Sequence, residues 1–289
     1  MKALKIYARA WQGVLKYRWP ILFLYVANLA TTFIVTSPIT FYFKSKFERS
    51  DVLNQKEGFD VSMVLEFLNN YGSALGPMLY LLIIVIVFSY IFSIYTSSAI
   101  LYAVVSNNQY IVLRSFWNGG LNYFWRILRL SLYYLITIMI IGFVSYRFSL
   151  FMGINILEVH SDWEFIQKLS ISAILFVLLA FLVLMVKQYA KLQIAAYNQP
   201  FITGAVMKGS GFVFKNLISA GLLSGLNIVL MIVAVFILIQ LRNVIPTHLW
   251  ALTFLIAQVI LILKIAARII HLDSCFKLYL DLEGRQRTD

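Results

Sequence analysis

Six stretches of this chain, 19–43, 77–105, 127–146, 169–186, 217–241 and 246–263, stay predominantly apolar for about the 20 residues an α-helix needs to cross a hydrocarbon layer of about 30 Å. Lipid offers no hydrogen bonds to bare backbone groups, so segments buried in it must satisfy those groups internally, and the runs are expected as helices. Composition points the same way. With 61% hydrophobic and only 12% charged residues, 289 residues cannot cover a water-soluble particle with polar surface. The expected fold class is all-α: a polytopic membrane protein, one integral domain over 1–289 with six transmembrane helices. Pro77 and Pro246 are placed where a first-turn proline costs no needed donor, whereas Pro38 lies inside its run and is expected to kink or end the helix.

Orientation follows from the charges between the runs. With the N-terminus on the cytoplasmic side, the cytoplasmic segments hold 17 Lys+Arg and 4 Asp+Glu, and the opposite segments hold 7 and 8. The connectors 106–126 and 187–215 contain basic residues and no acid, so the positive-inside rule puts both termini in the cytoplasm. The external loop 44–76 then carries acids, with one short helix expected near 61–68, and 274–289 is expected as a cytoplasmic tail. The basic N-terminus is followed by about 25 apolar residues without a small-residue cleavage pattern, so it reads as a retained first span.

The chain also repeats itself. WQGVLKYRWPILFL (11–24) and WNGGLNYFWRILRL (117–130) share eight of fourteen positions, including Trp11/Trp117, Gly13/Gly119, Tyr17/Tyr123 and Trp19/Trp125. Aliphatic identities are cheap in a membrane protein; two Trp pairs in one register are not, because the chain holds only 6 Trp. A weaker third copy aligns Asn108/Asn198, Gln109/Gln199, Gly119/Gly209 and Phe124/Phe214. The repeated unit reads as an interfacial cytoplasmic helix, a glycine elbow at Gly13, Gly119 or Gly209, and an aromatic lead into a span. Trp11, Trp19, Trp117 and Trp125 frame the first two elbows. In the amphipathic N-terminal helix, 1–16, Leu4, Tyr7, Trp11, Val14 and Leu15 share one face while Lys2, Lys5, Arg9, Gln12 and Lys16 share another. Such a helix lies on the inner leaflet, and Lys2, Lys5, Arg9, Lys16, Arg114, Arg126, Arg129 and Lys208 are candidate contacts for anionic headgroups.

No site chemistry stands out beside this. Cys275 is the single cysteine, and His160, His248 and His271 lie far apart, so no metal or redox cofactor is expected. Paired carboxylates, GxSxG, HExxH, Walker A and GxGxxG are absent in any usable context, which disfavours an enzyme. Asn28, the Ser89/Ser93/Thr96/Ser97/Ser98 stripe, Asn227 and Gln258 place uncharged polar groups in the runs, where hydrogen bonding within and between helices outweighs a substrate path. Gly221 and Gly225 form a GxxxG suited to close helix contact. Glu158, His160, Asp162 and Glu164 read as a solvated loop, and the basic surface needs no nucleic acid to explain it.

The basic elbow, the FWRILRL lead and a further elbow after KQYAKLQIAAYNQP resemble bacterial six-span membrane proteins. The chain is also similar to the membrane domain fused to some glycerophosphodiester phosphodiesterases, without their soluble catalytic domain. The resemblance implies a bacterial cytoplasmic membrane and an accessory role. The expected function is a non-enzymatic scaffold or accessory subunit of a transport or envelope system, its partners being anionic inner-leaflet lipid and a membrane protein or a second copy. A transporter of an amphiphile or lipid is the alternative.

Overall fold

The computed structural model describes residues 2–47, 61–106, 113–151, 162–244 and 250–283. Their regular elements are all helices: α1 (Lys2–Gln12), a single 3-10 turn (Val14–Tyr17), α2 (Arg18–Phe47), α3 (Val61–Val105), α4 (Leu113–Phe151), α5 (Asp162–Ala196), α6 (Ile202–Lys215), α7 (Leu217–Val244) and α8 (Trp250–Leu282). Five segments among them are long and apolar enough to cross a membrane: Ile83–Val105, Phe116–Phe151, Ser172–Ala196, Leu217–Leu241 and Ala251–Leu282. The protein is an all-α, membrane-embedded chain.

Its backbone forms two compact units, Leu22–Ser93 and the remainder. In the smaller unit, side chains of α2 bond to their own helix: Asn28 donates to the Leu24 carbonyl at 2.8 Å and Thr36 to the Thr32 carbonyl at 2.8 Å. This is how an isolated apolar helix keeps hydroxyl and amide groups paired without water.

In the larger unit, burial is concentrated at one end. The C-terminal ends of α3, α5 and α8 and the first halves of α4 and α7 meet there. Large side chains such as Leu101, Phe116, Leu130, Tyr189, Leu192, Leu223 and Ile270 are almost fully enclosed. Away from that end the same helices expose Ile136, Met139, Ile174, Val177, Val229, Ile232, Leu255 and Val259. Apolar surface of that extent is stable only against lipid.

Several expected boundaries are corrected. Within the expected tail 274–289, the described part continues as helix: α8 runs to Leu282, and Ser274, Cys275, Phe276, Leu278 and Tyr279 are buried. An apolar position on every turn carries the helix past the polar residues that suggested a stop. The loop 44–76 shrinks, because α2 continues to Phe47 and α3 begins at Val61, absorbing the short helix expected near 61–68. Pro38 and Pro77 both lie inside continuous helices, where each removes one backbone hydrogen bond without ending the element. The N-terminal helix expected over 1–16 stops at Gln12 and gives way to the 3-10 turn. His160, Asn108, Gln109, Pro246 and His248 lie outside the described residues.

Candidate functional site

Among the described residues, two helices are too short to cross a bilayer: α1, with 11 residues, and α6, with 14, are about 17 and 21 Å long at about 1.5 Å per residue. Both lie against the packed end, and both carry three kinds of face. On α1, Ala3, Tyr7 and Ala10 recur at helical spacing and pack on Leu223 of α7 and on Ala266, Ile270 and Leu278 of α8. The two alanines let the backbones approach. Leu4 and Ala8 form an exposed apolar stripe, and Lys5 and Arg9 an exposed basic one. Tyr7, Trp11 and Val14, expected on the face toward the acyl chains, pack instead on the protein-docked side.

A buried pairing fixes the junction after α1. The Tyr17 hydroxyl, nearly fully enclosed, donates to the Asp273 carboxylate of α8, which also holds the Lys277 ammonium at 2.7 Å. Burial, reinforced by the Asp273 charge and this hydrogen bond, raises the Tyr17 pKa far above that of a free phenol.

On α6, Ala205, Gly209, Phe212 and Val213 face inward, whereas Met207, Phe214 and then Ile218 of α7 form an exposed apolar stripe. Lys208 and Lys215, seven residues apart, flank that stripe and stand at the rim of a cavity of about 450 Å³ between α6 and the ends of α5 and α8. Inside it, Gln193 Nε2 donates to the Tyr279 hydroxyl at 2.7 Å, and the Glu283 carboxylate accepts from the Tyr279 hydroxyl at 2.5 Å and from that of Tyr197 at 3.1 Å. Gln193 is only 2% exposed, yet its Oε1 has no hydrogen-bond partner.

A second polar group lies at the same packed end. Lys191 Nζ donates to Ser97 Oγ at 2.9 Å, and Lys187, one turn earlier, and Arg268 of α8 are close enough to Lys191 to repel it. Arg126 of α4 donates from Nη1 to Asn198 Oδ1, an exposed hydrogen bond at the bend between α5 and α6. Asn198 has φ of 50°, a left-handed conformation that asparagine tolerates better than most residues.

Of the candidate lipid contacts, Lys5, Arg9, Arg114, Arg129 and Lys208 are exposed, Lys16 lies 5.5 Å from the centroid of the Tyr17 ring, and Arg126 is committed to Asn198. Only Lys208 lines the cavity. Sequence reasoning missed Lys215, Gln193, Tyr197, Tyr279 and Glu283; the i,i+4 pairs Gln193/Tyr197 and Tyr279/Glu283 were a signal, obscured by treating 274–289 as tail.

The elbow glycines have other roles. α4 runs unbroken through Gly119, and α6 through Gly209, so neither is a bend. A Cβ on Gly119 would fall 2.2 Å from the Tyr102 ring, and one on Gly120 2.7 Å from that of Tyr95; both glycines give room to an aromatic ring of α3. Gly13 does mark a turn, but with φ of −88°, which other residues also adopt. Trp117 packs edge-on against Tyr95 at 5.1 Å, Trp11 against Tyr7 at 6.4 Å and Trp125 against Phe124 at 5.5 Å, while Trp19 is half exposed. Comparisons with family models, curated proteins and solved structures give no match.

Proposed function

We propose that the chain is a six-span, non-enzymatic membrane scaffold or accessory subunit of the bacterial cytoplasmic membrane, with α2 supplying the further span. Its packed end faces the cytoplasm and holds the anionic inner leaflet. The observation that carries this reading is the shared design of α1 and α6: each docks one face on the bundle, leaves a narrow apolar stripe exposed and sets paired cations beside it. A helix so built is suited to the headgroup boundary, with apolar groups at acyl depth and ammonium groups among phosphates. In this reading 11–24 and 117–130 descend from one ancestral lead into a span, the second copy having straightened within α4.

Each cation near an anionic leaflet contributes about 1 kcal/mol, so the effect is collective. The test is purification of the wild type and the Lys2→Gln/Lys5→Gln/Arg9→Gln variant in gentle detergent, followed by identification of co-purifying proteins and lipids. The expected result is less phosphatidylglycerol or loss of a protein partner at unchanged elution volume. Full retention of both overturns the scaffold reading. Transport of an amphiphile is the alternative, favoured by one observation: the buried, unpartnered Asn227 Oδ1 on α7. Loss of lipid movement between vesicle leaflets in Asn227→Ala, with normal expression, supports it instead.

A further inference from the structure

The cavity beside α6 has the chemistry of a ligand seat. Lys208 and Lys215 present two ammonium groups at its rim. Beside them the exposed Glu283 carboxylate also lines the cavity and accepts from the Tyr279 and Tyr197 hydroxyls. Two ammonium groups beside a carboxylate suit a ligand that brings both an anion and an O–H or N–H donor. At about 450 Å³ the space exceeds what a bare phosphate needs and falls within the ordinary range of small-molecule sites. Met207, Phe214 and Ile218 are exposed along α6 and the start of α7 beside the lysines, where acyl chains would continue from a headgroup.

We infer that this cavity seats a phosphate ester carrying a neighbouring hydroxyl or ammonium donor, held as the headgroup of a phospholipid. The ester's anionic oxygens meet Lys208 and Lys215, and its donor meets the Glu283 carboxylate. The inference rests on the reading that α6 lies at the inner leaflet, and it assigns that surface one specific lipid seat.

Gly211 makes the inference testable without disturbing the fold. It lines the cavity, and a Cβ built there meets nothing within 4 Å, so Gly211→Leu would fill the seat from a helix that tolerates the change. The purified full chain in detergent is titrated with dioleoyl-phosphatidylglycerol, dioleoyl-phosphatidylcholine and sn-glycerol 3-phosphate, with binding read by thermal shift and by native mass spectrometry. Saturable binding of phosphatidylglycerol, lost in Gly211→Leu and about thirty-fold weaker in Lys208→Gln/Lys215→Gln, supports the seat. Equal binding in wild type and Gly211→Leu overturns it, as does the absence of saturable binding to any of the three. Binding of glycerol 3-phosphate without phosphatidylglycerol overturns the lipid assignment in favour of a soluble ester. Lys5→Gln/Arg9→Gln should leave this saturable binding unchanged, so failure of the seat and failure of the α1 leaflet contact are read separately.

Discussion

Gly209 of α6 approaches Ala190 of α5 so closely that a Cβ on the glycine would stand 2.8 Å from the Ala190 amide nitrogen. Backbone cannot swing aside as a side chain can, so Gly209→Ala should push α6 away from α5. Overpacking of this kind costs about 1–3 kcal/mol. Two residues on, Gly211 has open space around its Cβ position, and Gly211→Ala should gain up to about 1 kcal/mol from helix propensity. Thermal unfolding in detergent should therefore move in opposite directions for the two variants. A Gly209→Ala protein as stable as wild type would mean that the helices are not in this contact.

The bend joining α5 to α6 depends on Asn198, whose positive φ and carboxamide both contribute. Asn198→Gly keeps the backbone conformation and loses the hydrogen bond from Arg126, for a cost of about 1 kcal/mol. Asn198→Val loses the bond and adds backbone strain, for a total of about 2–4 kcal/mol. In the Asn198→Val background, Arg126→Gln should cost almost nothing further, because its partner is already gone. Thermal denaturation of the three variants measures this. Additive effects of Arg126→Gln and Asn198→Val would break the proposed coupling.

The Tyr17 and Asp273 pairing ties the end of α1 to α8 and has a pH signature. Because the folded-state pKa of Tyr17 is raised above the ordinary phenol value of 10.0, the hydroxyl's contribution is fully present below about pH 10. It declines as pH rises toward the folded-state pKa, when the unfolded chain ionises and the folded one resists. Tyr17→Phe should remove a hydrogen bond to a charged group, costing about 1.5–3 kcal/mol, and should flatten the loss of stability above pH 10. Limited proteolysis at Lys5 and Arg9 should accelerate in the variant at neutral pH. Identical alkaline profiles for both proteins would rule out the pairing as a determinant of α1 docking.

The spans were legible because lipid imposes a coarse rule, about 20 apolar residues, and the sequence obeys it in α3, α4, α5, α7 and α8. What a period cannot reveal is which apolar face meets lipid and which meets protein. The docked face of α1 and the exposed stripe beside it are both apolar, so Tyr7 and Leu4 looked equivalent. Glycines misled for a related reason. Gly119 and Gly209 mark places where another element comes close, and closeness between residues distant in sequence leaves no local pattern. The cavity was hidden by a composition rule: Lys277, Asp281 and Glu283 make 274–289 look like a solvated end, although Leu278 and Tyr279 anchor it in the core. The repeat was visible as identity, yet one copy bends and the other runs straight through α4.

Sidedness is the remaining test, and burial of Cys275 makes it straightforward. The thiol lies wholly inside the packed end, so an impermeant maleimide should react with it slowly and wild type should give a low background. Single cysteines at Asn54 and Asp162 sample the connectors that carry the acids, and those at Ser115 and Thr288 sample basic segments. The charge asymmetry favours cytoplasmic placement of the basic segments, because moving Lys and Arg across the bilayer is the costly step during insertion. In intact cells Asn54→Cys and Asp162→Cys should label while Ser115→Cys and Thr288→Cys label only after permeabilisation. The reverse pattern would place α1, α6 and the cavity on the outer face, where inner-leaflet lipid is not available, and would remove the basis of both the scaffold and the headgroup seat. Labelling at Asn54 and Ser115 from the same side would show that α3 does not cross, which would reduce the number of spans instead of inverting them.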